Sequence, residues 1–501
     1  MKLIFVDWLL AIGDERVGPV VMIEVAKLLV SAAACESGGR FKQTEECEIL
    51  TSKYTRQQIS WLARLVSTRR IIIVPAANSK GYYYRERGEL LRTQFDTNNQ
   101  WIDPNRDFSF DNSPNNCMRT IAARSVNEIF RKYLIQMSMT YHAGIENISF
   151  EWGATSVPRG KVSPDDIAQR IIAEKMSDYA GKLYAPANED QFYEYGDMNS
   201  ILYGVYGGFE DWVYAGSWLT DYTVQCSPSS YGGYDVSKTT YDDVTLNTFN
   251  ILVEISSSKD PNVNKLGTDK NLLNAPFEFD NNKHNGYVAK HIRTALMSVD
   301  TVEPYLQITS LKKKVFRKEL KPLRQLTDRW CKNKLAGKQR RGGKARIEWS
   351  VSGSYNVDET FLVYGLWSDF PKQFNCVNQV SHDDITAILN NSSGKFKTTK
   401  VQTGDTKWSD PMSELNPTFK ARAKISNQFS VGDKVAVFAV AKVDQDWVNQ
   451  PSTTVWPEDT SVQSHMVKIR TDPTYFKTKG TGREVEGRLY WISVPVTILV
   501  R

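Results

Sequence analysis

Four short stretches of this sequence gather residue types that can do chemistry. Asp103-Pro104-Asn105-Arg106-Asp107-Phe108 follows a polar loop and sets a side-chain amide beside a guanidinium. Ser138-Met139-Thr140-Tyr141-His142-Ala143-Gly144 ends an apolar run on a histidine. Tyr203-Gly204-Val205-Tyr206-Gly207-Gly208-Phe209-Glu210-Asp211-Trp212 joins tyrosines, a glycine pair and two acids. Phe249-Asn250-Ile251-Leu252-Val253-Glu254-Ile255 is an apolar strand carrying one carboxylate. A histidine at a strand end is commonly a hydrogen-bonded core residue. A lone glutamate on an apolar strand is different, because a buried, unpaired carboxylate is costly. Glu254 therefore calls for a metal, a cation or a raised pKa.

Elements must position these groups, and the pattern along the chain supplies them. Residues 1–308 alternate apolar strands with amphipathic helices, with helical spacing from Val20 to Ser31 and from Ala122 to Tyr133. Arg70-Ile71-Ile72-Ile73-Val74-Pro75 reads as a central strand buried on both faces. Such alternation predicts an open mixed α/β sheet with helices on both faces, and chemistry in such sheets collects at the carboxyl ends of the strands. After residue 346 short alternating runs take over, such as Lys434 to Val440 and Leu489 to Ile498, and predict an all-β sandwich. Residues 309–345 form a basic connector. Between Leu311 and Arg346 there are fifteen Lys/Arg and two acids, a local +13 within a chain of +6, which leaves −7 elsewhere. This stretch is either a solvated connector or a patch for a polyanion. Its aromatics are sparse, which argues against stacking on single-stranded bases.

The 501 residues exceed one core, and 41% hydrophobic with 24% charged residues describes a globular chain. No run of 18 apolar residues predicts a membrane span. Residues 2–12 read as a buried strand, since Asp7 interrupts the apolar stretch and no small-residue cleavage site precedes Asp14-Glu15. The six cysteines are scattered without a CxxC pair, against a cysteine-rich zinc module and in favour of at most a few disulfides.

Taken in order, these clusters resemble the zinc metallocarboxypeptidases of the carboxypeptidase A and N type. Asn78-Ser79-Lys80-Gly81-Tyr82 looks like that family's Asn-Pro-Asp-Gly-Tyr stretch. Asp103-Pro104-Asn105-Arg106 is similar to its Asp-x-Asn-Arg motif, and Tyr141-His142-Ala143-Gly144 to its second histidine motif. The Tyr203–Trp212 block and the Glu254 strand match in order and spacing, so the resemblance covers about residues 5–305. It implies an eight-stranded-type sheet and a zinc ion activating water. His142 and Glu15 would be metal ligands and Glu254 the general base. Asn105 and Arg106 would hold the α-carboxylate of a peptide or protein C-terminus, where a guanidinium fork is bidentate. Arg92 would polarise the scissile carbonyl, and Tyr203 would close over the substrate. Glu210, two places after Gly207-Gly208, would floor the pocket for the departing side chain and favour Lys or Arg. Family resemblance favours a secreted or lumenal site.

The departure is at the other half of the metal site. One register puts the family's His-x-x-Glu pair on Ile12 and Glu15, a shifted one puts it on Glu15 and Gly18, and no histidine precedes His142. The family's opening strand and helix are also expected to be missing ahead of residues 2–12. Two function classes follow: a carboxypeptidase whose start is faulty as written, or a catalytically silent binding or scaffold protein. Retention of Asn105, Arg106, Tyr203 and Glu254 together favours the enzyme.

Overall fold

The computed structural model describes residues 3–8, 13–37, 44–91, 100–183, 191–242, 245–268, 286–302, 305–311, 314–315, 335–339, 341–352, 359–370, 379–380, 388, 390, 394–399, 402–403, 418–425, 428–444, 454–458, 488–493 and 495–501. They fall into two compact units, one of residues 1–299 with 447–469, the other of residues 300–446 with 470–501. Most of the basic stretch between residues 311 and 346 lies outside the described residues.

In the first unit the strands are β1 (Leu3–Trp8), β2 (Arg69–Val74), β3 (Glu89–Leu91), β4 (Gln100–Ile102), β5 (Met137–His142), β6 (Asn147–Phe150), β7 (Glu194–Asp197) and β8 (Phe249–Glu254). Six of them form one mixed sheet in the order β2-β1-β5-β8-β6-β7, where eight were expected. Only the β6–β8 pair is antiparallel. The reading of β2 as central is corrected: it is outermost among the described strands, and its Ile71–Val74 run is half-buried. A string of β-branched residues fits a half-covered edge as well as a centre, because sequence reports propensity and not neighbours.

The helices are α1 (Val17–Ser37), α2 (Glu45–Lys53), α3 (Arg56–Thr68), α4 (Ser79–Tyr84), α5 (Ile121–Lys132), α6 (Asp166–Ala180), α7 (Met198–Ile201), α8 (Phe209–Ala215) and α9 (Tyr287–Thr301). α1 is long and apolar enough to cross a membrane by length and composition, but Val21, Met22, Val25, Leu29 and Ala32 are buried within the unit. α5 shows why local sequence suffices for a helix. Thr120 caps its start by accepting from Ala123 N at 3.1 Å, and Arg131 and Lys132 sit in its last turn. Glu89 adds a second cap across the chain, accepting from Ile121 N and Ala122 N at 3.0 and 2.9 Å. Two disulfides, Cys35–Cys47 and Cys117–Cys226, tie the unit together.

Residues 454–458 were expected within the C-terminal module, yet they pack into the first unit. Val162 N donates to Thr454 O and Trp456 N to Val162 O, both at 2.9 Å. The buried Trp456 ring meets Trp152 and Tyr222 edge-on at 5.2 and 4.8 Å, and its carbonyl accepts from Trp152 Nε1 at 3.1 Å. Truncating a tryptophan in such a site costs about 3–5 kcal/mol. Trp456→Ala should therefore lower unfolding stability by that order in urea titrations. A loss below about 1 kcal/mol would show that the segment is not held there.

The second unit consists of β-sheets. One sheet contains Tyr305–Leu311, Lys344–Ser352 and Thr418–Lys424, and another Glu359–Leu366, Lys434–Asp444 and Val496–Val500. Ile347, Trp349 and Phe419 from the first share one apolar cluster with Leu362, Val437, Ala439 and Ile498 from the second. The alternation expected from Lys434 to Val440 is corrected: Val435, Val437 and Ala439 join this cluster while Ala436, Phe438 and Val440 join a second one, so the strand is buried on both faces.

Candidate functional site

β5 and β8 lie side by side in parallel, with His142 paired in register with Glu254. Both side chains thus leave the sheet at the same carboxyl edge. Glu15 reaches them from the turn before α1. Its Oε2 stands 3.1 Å from His142 Nδ1 and accepts from Ala143 N at 3.1 Å. Its Oε1 is 3.1 Å from Arg87 Nη1 and 3.6 Å from Lys259 Nζ. Gly13 makes this approach possible, since a Cβ there would lie 2.2 Å from the Gly81 carbonyl carbon.

On the far side of the histidine lies Glu210, fully buried, with Oε1 3.8 Å from His142 Nε2. Thr140 Oγ1 and Asn105 Nδ2 donate to the same oxygen at 3.3 and 3.4 Å, while Oε2 has no hydrogen-bond partner. Asn105 Oδ1 accepts from Phe209 N at 2.8 Å, so its amide joins the Asp103–Arg106 turn to the start of α8. Gly207 closes the same junction at φ +60°, where a Cβ would stand 2.6 Å from Arg106 O. Arg106 is half-buried and donates from Nη1 to Asn105 O at 2.6 Å. Among the described residues it makes no ion pair with a carboxylate.

The electrostatics tie the group together. Burial pushes the Glu254 carboxyl up to about 7; His142 and Arg87 pull it down, and Glu15 and Glu210 push it up. One of its oxygens, Oε2, is buried without a partner. Burial opposes a charged imidazole at His142, but Glu15, with help from Glu254 and Glu210, raises its pKa above the ordinary value. Tyr203 is exposed, and its phenol, if ionised, would raise the Arg87 pKa. The structure thus brings Glu15, His142, Glu254, Glu210, Asn105 and Tyr203 together, with Arg106 beside Asn105. Ile12 and Arg92 lie outside the described residues.

Arg87 went unrecognised from sequence. Its Nε donates to Asp103 Oδ2 at 2.8 Å while its Nη1 holds Glu15. Burial would lower its pKa, yet Asp103, Glu15 and Tyr203 together raise it. Nothing in Arg85-Glu86-Arg87 separates it by type or spacing from its neighbour Arg85, which pairs with Asp260 instead. Lys259 and Thr140 were also missed, each lying next to a residue that was named.

Zinc needs three protein donors and an open position. Among the described residues no group of three His, Cys, Asp or Glu can hold a metal. The second described histidine, His291, faces Tyr193 Oη at 3.1 Å, and burial drives its pKa well down. Both oxygens of Glu15 are already engaged, one of them by a guanidinium. The described donors do not fit a zinc ion.

Residues 34–249 match the zinc carboxypeptidase family. The matched segment holds Asn105, Arg106, His142, Tyr203 and Glu210, but neither Glu15 nor Glu254. The match covers less than half of the chain and lies within the first unit, whose mixed sheet and helices give it a carboxypeptidase-like α/β fold over that segment. Over 60% of its length the chain is similar to the crystal structure of thrombin activatable fibrinolysis inhibitor, at 15% identity and a TM-score of 0.34. It spans 60% of that chain's length. No curated protein matches the sequence.

Proposed function

We propose that the first unit is a carboxypeptidase-type hydrolase domain whose cleft takes the C-terminal residue of a peptide and favours Lys or Arg. The observation that carries this is Glu210, a fully buried carboxylate with Oε2 unpartnered and, among the described residues, no basic side chain within ion-pair distance except His142. Such a group is costly alone and is offset by an incoming cation. Arg106 would bind the substrate's α-carboxylate, with Asn105 fixing the turn that presents it. Glu254, held near neutrality, would accept and return a proton, and Tyr203 would close over the bound end. Arg92 is assigned to the scissile carbonyl by resemblance.

The departure of the metal site supports a second reading, a silent binding protein using the same cleft. Two zinc donors where three are needed, one of them held by Arg87, favour it. Both readings share the recognition half, so peptide binding tests it directly. Peptides ending in Lys or Arg should bind at least about tenfold more tightly than those ending in Phe or Leu, as expected for one charge-assisted contact. Glu210→Ala should erase that preference and leave apolar ends little changed. Equal binding of basic and aromatic ends by the unaltered protein would sink the assignment of Glu210. Release of the terminal residue in the same samples separates enzyme from binder.

Two disulfides support an oxidising, secreted or lumenal compartment. The shared core of the two C-terminal sheets supports a sandwich there. The basic stretch at residues 311–346 keeps its two readings, a solvated connector or a polyanion contact, the second resting on charge alone.

A further inference from the structure

Asp107 directly follows Arg106, and none of the chemistry above uses it. Its side chain is fully buried. Oδ1 accepts from Arg119 N at 3.0 Å, and Oδ2 accepts from Thr120 N and Thr120 Oγ1 at 2.7 and 2.8 Å. The Arg119 guanidinium stands 3.6 Å from Oδ1. The backbone is held as firmly: Asp107 N donates to Pro104 O at 3.2 Å, and Asp107 O accepts from Met118 N at 2.6 Å. The next residue, Phe108, donates its N–H to Gly207 O at 3.1 Å, at the start of the Glu210 block. The carboxylate thus fastens the Asp103–Arg106 turn to the two residues just ahead of α5. A second buried carboxylate, Glu89, caps the same helix one step further along, at Ile121 N and Ala122 N.

We propose, resting on Arg106 as the clamp for the ligand's α-carboxylate, that Asp107 is its positioning residue and that the charged carboxylate holds Arg106 in its binding geometry. Three donors converge on the two oxygens of Asp107. A protonated carboxyl would turn an O–H against one of them, so the fastening holds only while the group is charged. Burial pushes this carboxyl up to about 6, against the pull of the hydrogen bonds from Arg119 and Thr120 and of the Arg119 charge. The charged groups facing it are Arg119, from the segment before α5, and Arg124, from α5 itself. The grip on an α-carboxylate therefore loosens as pH drops from 7.5 to 5. The ligand's own α-carboxyl stays ionised over that range, its ordinary pKa being about 3.3–3.7.

The readout is the ratio of affinities for a peptide with a free C-terminal carboxylate and the same peptide amidated, measured by titration calorimetry on the full chain. At pH 7.5 Asp107→Asn, whose amide sets an N–H against one of those donors, should lower that ratio about tenfold, as for one lost charge-assisted hydrogen bond. Glu89→Gln, at the other buried cap of α5, should lower the melting temperature and leave the ratio unchanged. Between pH 7.5 and pH 5 the ratio of the unaltered chain should fall toward that of Asp107→Asn, because His142 and Glu254 gain protons in both proteins. Should Asp107→Asn fail to fold, Thr120→Val removes one donor and should lower the ratio, while Thr120→Ser keeps the hydroxyl and should preserve it. An unchanged ratio in folded Asp107→Asn or Thr120→Val overturns the proposal for Asp107 alone, as does an equal loss in Glu89→Gln. A ratio that Arg106→Ala leaves unchanged overturns the clamp itself, and the role of Asp107 with it.

Discussion

Arg106→Ala should weaken binding of peptides with a free C-terminal carboxylate by about 30-fold or more, and leave the same peptides unchanged in affinity once amidated. The figure corresponds to about 2 kcal/mol, the lower end for removing one partner of a hydrogen-bonded charge pair shielded from water. The geometry explains why this arginine should matter more than its neighbours. Arg87 is bound to Glu15 and Asp103, Arg119 lies 3.6 Å from Asp107, and Arg85 pairs with Asp260. Arg106 donates to a backbone carbonyl and has no described carboxylate partner, so its charge is available to a ligand. Its turn is rigid: Asp103 Oδ1 caps it by accepting from Asn105 N at 2.9 Å, and Asn112 Nδ2 donates to Arg106 O at 3.1 Å. Isothermal titration with paired acid and amide peptides reads the effect. If the unaltered protein binds both forms equally, Arg106 is not a carboxylate clamp.

Asp211→Asn should flatten the pH dependence of stability. Asp211 is buried and burial pushes its carboxyl up to about 8; Gly153 N, donating at 3.0 Å, pulls down, and Glu210 pushes up. Its other oxygen has no partner. The sign follows from proton counting. Above the ordinary carboxylate range the unfolded chain has lost this proton while the folded chain keeps it, so stability falls as pH rises toward 8. The loss begins near the unfolded value of 3.8 and is complete above about 8. Asparagine keeps an acceptor for Gly153 and has no proton to lose in this range. Urea unfolding at pH 5 and pH 8 should show the unaltered protein losing a few kcal/mol more than the variant between the two, on the order expected for a shift of several pH units. Glu151, whose pKa burial raises well above normal, is also pushed up by Asp211, so the comparison is made with Glu151→Gln present in both proteins. Equal losses would mean that Asp211 is not the titrating group.

Much of the site was legible because its residues sit at ends of strongly patterned elements. His142 and Glu254 close two apolar strands, and apolar runs of that kind must be buried wherever they pair. Glu15 lies against His142, a contact that either register of the His-x-x-Glu pair would give. Glu210 was marked by its distance from a glycine pair, and the pair is there because Gly207 adopts a conformation that a side chain would obstruct.

What the sequence by itself determined was therefore the order of the motifs, the elements carrying them and the missing histidine. Only the tertiary structure decided which charges meet. Arg85, Arg87, Arg92 and Arg106 are alike in a string of letters, and their roles depend on which backbone atoms hold them and which carboxylates lie within about 3 Å. The edge position of β2 and the return of Trp456 to the first unit were undetermined for the same reason. Periodicity records how much of a residue is buried, through its local preference for one face. It does not record the partner across the sheet, which is fixed by register between segments more than a hundred residues apart, as with His142 and Glu254.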